Sequence, residues 1–327
     1  MRQKHLLAGC LLGILLACMG CQQKATTAAT QQIKKQTEIF AIQGNDTLRM
    51  DRYTATNDYS KQSKKSPVIL FAFGGGFKGG DRASTDYTEF FEFFAKQGYT
   101  VISTDYRTTL KDFDASQVNQ PTDFMNALQT AIQTAVFDLY TATNYVIDHS
   151  EEWQIDPQRI ILSGSSAGAI SVLQAEYQLC QNNTSHSFLP KEFRYAGVVS
   201  FAGAIADINS PQWPQSPCPI MLFHGDADPI VPYRAASIPG LGGLWGSAKI
   251  AESLEAAKVP YAFYRISNAG HEVSSTPMHT QLFDILSFLD RQVMHNEPLV
   301  IQASSKLPND TLQEHSFTIE DYLKSNL

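Results

Sequence analysis

Hydrophobic and polar positions divide this chain into a leader, a body and a tail. A basic start (Met1, Arg2, Lys4) precedes an apolar run from Leu6 to Ala17, then small residues, cysteines and the polar stretch Gln22 to Lys35. That layout predicts a signal peptide over 1–21 and a polar linker over 22–36; the apolar run is too short to span a bilayer. Beyond it, Glu38 to Gln43 and Thr47 to Ala55 read as strands of a hairpin, with Gly44-Asn45-Asp46 supplying the turn. Short apolar runs then alternate with longer amphipathic segments, the signature of crossover units on a parallel sheet. The runs are Val68 to Phe73, Thr100 to Asp105, Arg159 to Ser163, Ala196 to Phe201, Ile220 to His224 and Tyr261 to Ile266. Helices are predicted at Tyr87 to Gln97, Phe124 to His149, Ala167 to Leu179, Ser247 to Ala257 and Thr280 to Val293. The expectation is one α/β domain over 37–295, a mostly parallel eight-stranded sheet with antiparallel N-terminal strands and helices on both faces. A polar tail over 296–327 has no readable role.

Composition changes this picture little. Apolar residues make up 43% and charged residues 17% of the 327 positions, enough to bury a core and too little charge for disorder. A net charge of −7 argues against a nucleic-acid partner. With no Walker-type loop, dinucleotide fingerprint or His-Glu-x-x-His pair in the sequence, neither a cofactor nor a metal is implied.

The cysteines do change it. Leu15-Leu16-Ala17-Cys18-Met19-Gly20-Cys21 resembles a bacterial lipobox, so Cys21 or Cys18 is expected to carry a lipid that anchors the protein to a membrane outside the cytoplasm. Cys10, which also follows lipobox letters, leaves almost no apolar run ahead of it and is set aside. Cys180 and Cys218 remain in the body, where an oxidising compartment lets them pair if geometry allows.

The chemistry is carried by Gly164-Ser165-Ser166-Ala167-Gly168, which follows an apolar strand and opens an Ala- and Leu-rich helix. A serine on so sharp a turn needs glycine two residues to either side, and the helix N-terminus favours a developing anion. Upstream, Phe73-Gly74-Gly75-Gly76-Phe77 directly follows another strand, so the N–H groups of Gly75 and Gly76 are expected to join that of Ala167 in holding an oxyanion. A serine hydroxyl needs a base, and the base needs a carboxylate to fix its tautomer. His271 lies just past the last of these strands and Asp228 just past the one before it, giving the order Ser166, Asp228, His271. Asp226 competes for the acid; Asp228 is favoured because the loop needs a few residues to reach beneath the histidine. His224 is expected to pack within its strand.

These motifs resemble the α/β-hydrolase superfamily, in particular bacterial carboxylesterases that include acetyl-xylan and feruloyl esterases. The resemblance spans Thr37 to Val293 and extends to Gly79-Gly80-Asp81-Arg82, Asp105-Tyr106-Arg107 and Asp156-Pro157-Gln158-Arg159-Ile160. It implies the α/β-hydrolase fold and a serine carboxylesterase working through an acyl-enzyme. The substrate class it implies is a small-molecule or polysaccharide ester bearing acetyl or feruloyl groups. Many relatives carry histidine where this chain has Phe73, which can brace the glycine loop only by packing. The intervals between Ser166, Asp228 and His271 leave no room for a large inserted lid, so the cleft is expected to be open. The segment Ala235 to Gly246 is expected to overhang it, with Phe77, Leu241 and Trp245 contacting substrate. A serine exopeptidase of the same fold and a non-catalytic binding lipoprotein are the alternatives.

Overall fold

The structure is a computed structural model that describes residues 31–56, 65–114, 116, 118, 120–181, 189–306 and 317–326. The leader, with Cys18 and Cys21, lies outside the described residues. None of the described helices is long and apolar enough to cross a membrane.

The chain opens with β1 (Gln32–Gln43) and β2 (Asp46–Thr56), paired antiparallel around a turn at Gly44, whose φ is 63°. The main sheet continues through β3 (Ser66–Ala72), β4 (Thr100–Thr104), β5 (Ile155–Ser165), β6 (Gly197–Phe201), β8 (Ile220–Gly225), β11 (Tyr261–Ile266) and β12 (Val300–Ser305). A second sheet holds β7 (Ala204–Asp207), β9 (Ala235–Ile238) and β10 (Gly242–Gly246). The helices are α1 (Thr88–Lys96), α2 (Pro121–Asp148), α3 (Ala167–Cys180), α4 (Ser247–Ala256), α5 (Pro277–Thr280), α6 (Leu282–Phe288) and α7 (Ile319–Asn326).

The main sheet has nine strands in the order β1-β2-β4-β3-β5-β6-β8-β11-β12, antiparallel at the β1–β2 and β2–β4 pairs and parallel from β4 onward. This is the α/β-hydrolase arrangement, one strand larger than the sequence predicts. The extra strand, β12, comes from the tail, and β1 begins at Gln32, inside the stretch read as linker. Both are edge strands. An edge strand buries little, so neither carries the apolar run by which an interior strand is recognised, and the lysines Lys34 and Lys35 on β1 suit a blunted edge. The single helix predicted at 280–293 is instead α5, a break at Gln281, α6 and a π-helical stretch over Leu289–Met294.

Chain order places the site. From β3 the chain crosses to β4 on one side, then returns to β5 on the other side of β3. The carboxyl ends of β3 and β5 therefore flank a topological switch point, where open α/β sheets bind their ligands. Beneath it lies an aromatic core in which Phe71 meets Tyr87, Phe90 and Phe91, Phe90 meets Phe201, and Phe201 stacks on Phe223 at 5.4 Å. Each such ring contributes about 1.5–3 kcal/mol by burial. Every residue of α3 is buried, so the helix that follows β5 is held on all sides. Cys180 and Cys218 are free thiols, and Glu176 accepts from the Cys218 N–H at 2.8 Å and the Cys180 thiol at 3.5 Å.

Candidate active site

Ser166 stands between β5 and α3 with φ 52° and ψ −117°, a left-handed strain that an L-residue holds only when its surroundings enforce it. Sterics at its flanks explain the glycines. A Cβ on Gly164 would lie 2.5 Å from the carbonyl oxygen of Gly168, and one on Gly168 would lie 2.1 Å from that of Ala72. The turn is locked by Ser166 N–H donating to Phe201 O at 2.9 Å and by Ile170 N–H donating to Ser166 O at 2.9 Å.

His271 follows β11 in a single 3₁₀ turn, His271–Ser274. Its Nε2 lies 2.8 Å from Ser166 Oγ and its Nδ1 2.7 Å from Asp228 Oδ2. With a carboxylate at Nδ1, that nitrogen carries the proton and Nε2 is left to accept from the serine hydroxyl. The histidine turn is tied directly to the elbow, because Ser165 Oγ donates to Ser274 O at 2.8 Å.

Asp228 is fixed by donors on both oxygens. Oδ1 accepts from the Ile230 and Val231 N–H groups at 2.8 and 3.0 Å, while Oδ2 faces His271 and, at 3.4 Å, His224 Nε2. Burial alone raises this carboxyl, but hydrogen bonds from His224 and His271 outweigh it and hold the group well below the usual carboxylate range. His224 is buried in β8 as its sequence position suggests, and it also supports the acid. Its Nε2 sees two acceptors, Asp228 Oδ2 and Val231 O, so that nitrogen is the protonated one, and Ser247 Oγ at 2.8 Å from Nδ1 supplies a hydroxyl to the other. Asp226, the competing acid, points elsewhere. It takes Arg265 Nε at 2.7 Å and the Asn268 N–H at 2.7 Å, pinning β11 to the loop after β8.

The glycine loop after β3 comes to the same place. Gly75 and Gly76 have φ of 136° and 63°, and a Cβ on Gly75 would lie 2.3 Å from Gly79 O. Among the described residues, neither N–H finds an acceptor. Phe73 braces the loop by stacking on Tyr106 at 4.5 Å, while the Tyr106 hydroxyl donates to Phe73 O at 2.8 Å. Tyr87 OH accepts from the Gly74 N–H at 3.2 Å. Behind them, Arg107 grips the buried Asp138 through Nε and a terminal nitrogen, and Arg82 contacts Asp105 and Asp51.

A cavity of about 550 Å³ surrounds Ser166 and is lined also by Gly75, Gly76, Ala167 and His271. Its lining is mixed: Ile170, Ile230, Val231 and Tyr322 are apolar, and Asp81, Ser84, Asp86 and Ser275 are polar. Phe77 lines it too, but its ring is buried against Tyr106, so it forms wall rather than an exposed contact. Leu241 and Trp245 are not brought to this cavity. The segment Ala235–Gly246 is a hairpin whose second strand, β10, is bonded by β9 on one side and β7 on the other, and Trp245 Nε1 donates to Asp207 O at 3.2 Å. The expected overhang is thus committed to a sheet, and Leu241 lines a different cavity.

The wall that sequence reasoning missed is α7. Tyr322 and Asn326 line the Ser166 cavity, with Asn326 Nδ2 donating to Ile230 O at 3.2 Å and Ser325 Oγ to Pro229 O at 2.6 Å. Ile319, Tyr322, Leu323 and Asn326 fall at helical spacing on one face, the one signal in the tail that points inward.

Comparison with known proteins agrees with this geometry. The BD-FAE family model matches residues 51–217, just over half of the chain. Gut esterase 1 of Caenorhabditis elegans is 26% identical over 161 residues, which cover 47% of this chain and 27% of that protein. Lipase 2 of Moraxella sp. (strain TA144) is 27% identical over 164 residues, covering 48% and 33%. The chain therefore spans about a third or less of the length of these curated relatives. Among solved structures, Thermogutta terrifontis esterase 2, in a form phosphoramylated by tabun, matches 82% of this chain and 97% of its own with a TM-score of 0.56 at 20% identity. The fold, the serine at its strained turn and the family match over 51–217 together place this chain in the BD-FAE family of α/β-hydrolase proteins.

Proposed function

We propose that the protein is a serine carboxylic ester hydrolase with Ser166 as nucleophile, His271 as general base and Asp228 as the acid that orients it. The observation that carries this is the unbroken chain of short contacts from Ser166 Oγ to His271 Nε2, 2.8 Å, and from His271 Nδ1 to Asp228 Oδ2, 2.7 Å. Ser166 attacks the ester carbonyl as His271 takes its proton, and the N–H groups of Gly75, Gly76 and Ala167 stabilise the oxyanion. His271 then protonates the leaving alcohol and activates the water that releases the acid. Each oxyanion donor is worth about 3 kcal/mol of barrier.

The mixed lining offers Ile170, Ile230 and Val231 to a short acyl group and Asp81, Ser84 and Asp86 to the alcohol. The names of the relatives, an esterase and a lipase, and the propionate- and butyrate-bound structures of Thermogutta terrifontis esterase 2 favour the same class. The polar lining residues suit a hydroxyl-rich alcohol, hence acetyl or feruloyl esters of carbohydrate as natural substrates. The leader supports export and lipid attachment at Cys21 or Cys18. If so, substituting both cysteines with serine releases the protein from membranes; retention by the double variant contradicts it.

The test is hydrolysis of p-nitrophenyl acetate beside a feruloyl ester and an aminoacyl nitroanilide, in the parent and in Ser166→Ala. Ester turnover abolished in the variant supports the proposal. Faster cleavage of the anilide points to a peptidase, and a folded parent that cleaves none of the three points to a binding protein.

A further inference from the structure

A second cavity, of about 830 Å³, shares two helices with the first. On α3, Ile170 lines the Ser166 cavity and Gln174, one turn on, lines the second; on α7, Tyr322 and Asn326 face the first and Ile319 the second. Its size falls in the range of small-molecule sites, about 300–1,000 Å³.

Its lining has a pattern. Asn126, Gln129 and Gln133 recur at helical spacing along α2, Gln174 and Gln178 do so along α3, and Gln181 follows at its C-terminal end, so two packed helices present facing rows of carboxamides. The rows meet where Gln178 Nε2 donates to Gln133 Oε1 at 2.7 Å, and Gln174 is fixed by a two-way pairing with the Ala206 main chain. Gln129, Gln133 Nε2 and Gln178 Oε1 make no hydrogen bond among the described residues, which leaves donors and acceptors on both rows. Among the described residues no lysine or arginine lines the cavity, and the one carboxylate there, Asp207, is occupied by the Tyr177 hydroxyl at 2.5 Å and the Ile208 N–H at 2.6 Å. At its rim Ile208 and Leu241 are 61% and 57% exposed.

Uncharged groups that both donate and accept, beside exposed apolar side chains, match a ligand with hydroxyls at its edges and C–H groups on its faces. An anion has no cation to meet among the described lining residues, and a lipid chain would strand the amides. A peptide adding to a strand needs a free main-chain edge. The β10 segment in the wall is bonded on both sides, and the Ala206 N–H and C=O of β7 are taken by Gln174.

We propose that this cavity binds a neutral oligosaccharide and serves as the subsite for the glycosyl part of a carbohydrate ester cleaved at Ser166. Its purpose rests on the esterase reading above; its binding does not, so binding is measured without turnover. Xylotetraose, cellotetraose and an uncharged alanine tetrapeptide are titrated calorimetrically into the purified full chain carrying Ser166→Ala. At least one saccharide is expected to bind with Kd of about 1 mM or tighter. Adding Gln129→Leu and Gln133→Leu is expected to weaken it about tenfold or more, while the same pair in the parent leaves p-nitrophenyl acetate hydrolysis within about twofold. That unchanged hydrolysis shows the variant is folded. No binding of either saccharide, binding indifferent to the two substitutions, or tighter binding of the peptide overturns the proposal.

Discussion

Replacing Asp228 by asparagine changes one oxygen to an amide nitrogen and leaves volume untouched, which makes it a sharp probe of the proposed mechanism. Every group facing this side chain is a donor: Ile230 N–H and Val231 N–H at Oδ1, His271 Nδ1–H and His224 Nε2–H at Oδ2. An asparagine can keep its oxygen on only one side. If the oxygen stays with the two backbone amides, the NH₂ meets His271, which relieves the clash by moving its proton to Nε2, where it can no longer accept from Ser166. If the amide flips, NH₂ meets two backbone donors that cannot adapt, so the first arrangement is favoured. The wrong tautomer in a serine triad lowers kcat on the order of 10⁴-fold, about 5.4 kcal/mol of barrier. The assay is p-nitrophenyl acetate hydrolysis at pH 8, with far-ultraviolet circular dichroism as the control for folding. Asp226→Asn is the companion variant. It removes the charge that Arg265 pairs with and is expected to cost about 1–3 kcal/mol of stability while leaving kcat within about threefold. A loss below about tenfold in Asp228→Asn, or equal losses in both variants, refutes the reasoning.

Three further outcomes follow from the packing. Glu176 is buried, and burial pushes its carboxyl up to about 7 against hydrogen bonds from Cys218 and Cys180. The folded state therefore holds this proton more tightly than the unfolded chain does, so the associated stability is full below about pH 4.5 and is lost as pH rises through 7. Glu176→Gln should flatten that decline and stabilise the protein at pH 8 by a few kcal/mol at most, read from urea melts at pH 5 and 8. Gly168→Ala places a methyl 2.1 Å from Ala72 O and should destabilise by about 3 kcal/mol or more, seen as a lowered melting temperature. Tyr106→Phe keeps the ring stacked on Phe73 but removes the bond to Phe73 O, and should lower stability by about 1 kcal/mol and kcat more than it changes KM.

The parts of this protein that could be read from sequence are those where sterics leave one residue type. Gly164 and Gly168 are required by carbonyls at 2.5 and 2.1 Å, so the turn around Ser166 announces itself, and chain order then brings Asp228 and His271 to it. The interior strands declare themselves by continuous apolar runs. Edges do not: β1 starts earlier than its apolar residues suggest, and β12 reads as polar tail because only part of it is covered. The sequence reading has Ala235 to Gly246 overhang the cleft, with Leu241 and Trp245 contacting substrate. The glycine-rich strand β10, which contains Trp245 and follows Leu241, pairs instead on both sides, a contact between distant segments that no local pattern carries. The wall from α7 and the rows of carboxamides were hidden for a related reason. Glutamines at helical spacing look like any solvated helix face until a second helix is set opposite them.

The most direct measurement for the central claim is covalent labelling with paraoxon, the reagent that phosphorylates Thermogutta terrifontis esterase 2. The parent protein, Ser166→Ala and His271→Ala are incubated with it, and intact mass, peptide mapping and residual p-nitrophenyl acetate hydrolysis are followed together. If Ser166 is the nucleophile activated by His271, the parent takes up one phosphoryl group on Ser166 in step with loss of activity, His271→Ala reacts on the order of 10³-fold more slowly or less, and Ser166→Ala does not react there. Full ester hydrolysis by Ser166→Ala, or a labelled residue other than Ser166 whose modification tracks inactivation, contradicts the account.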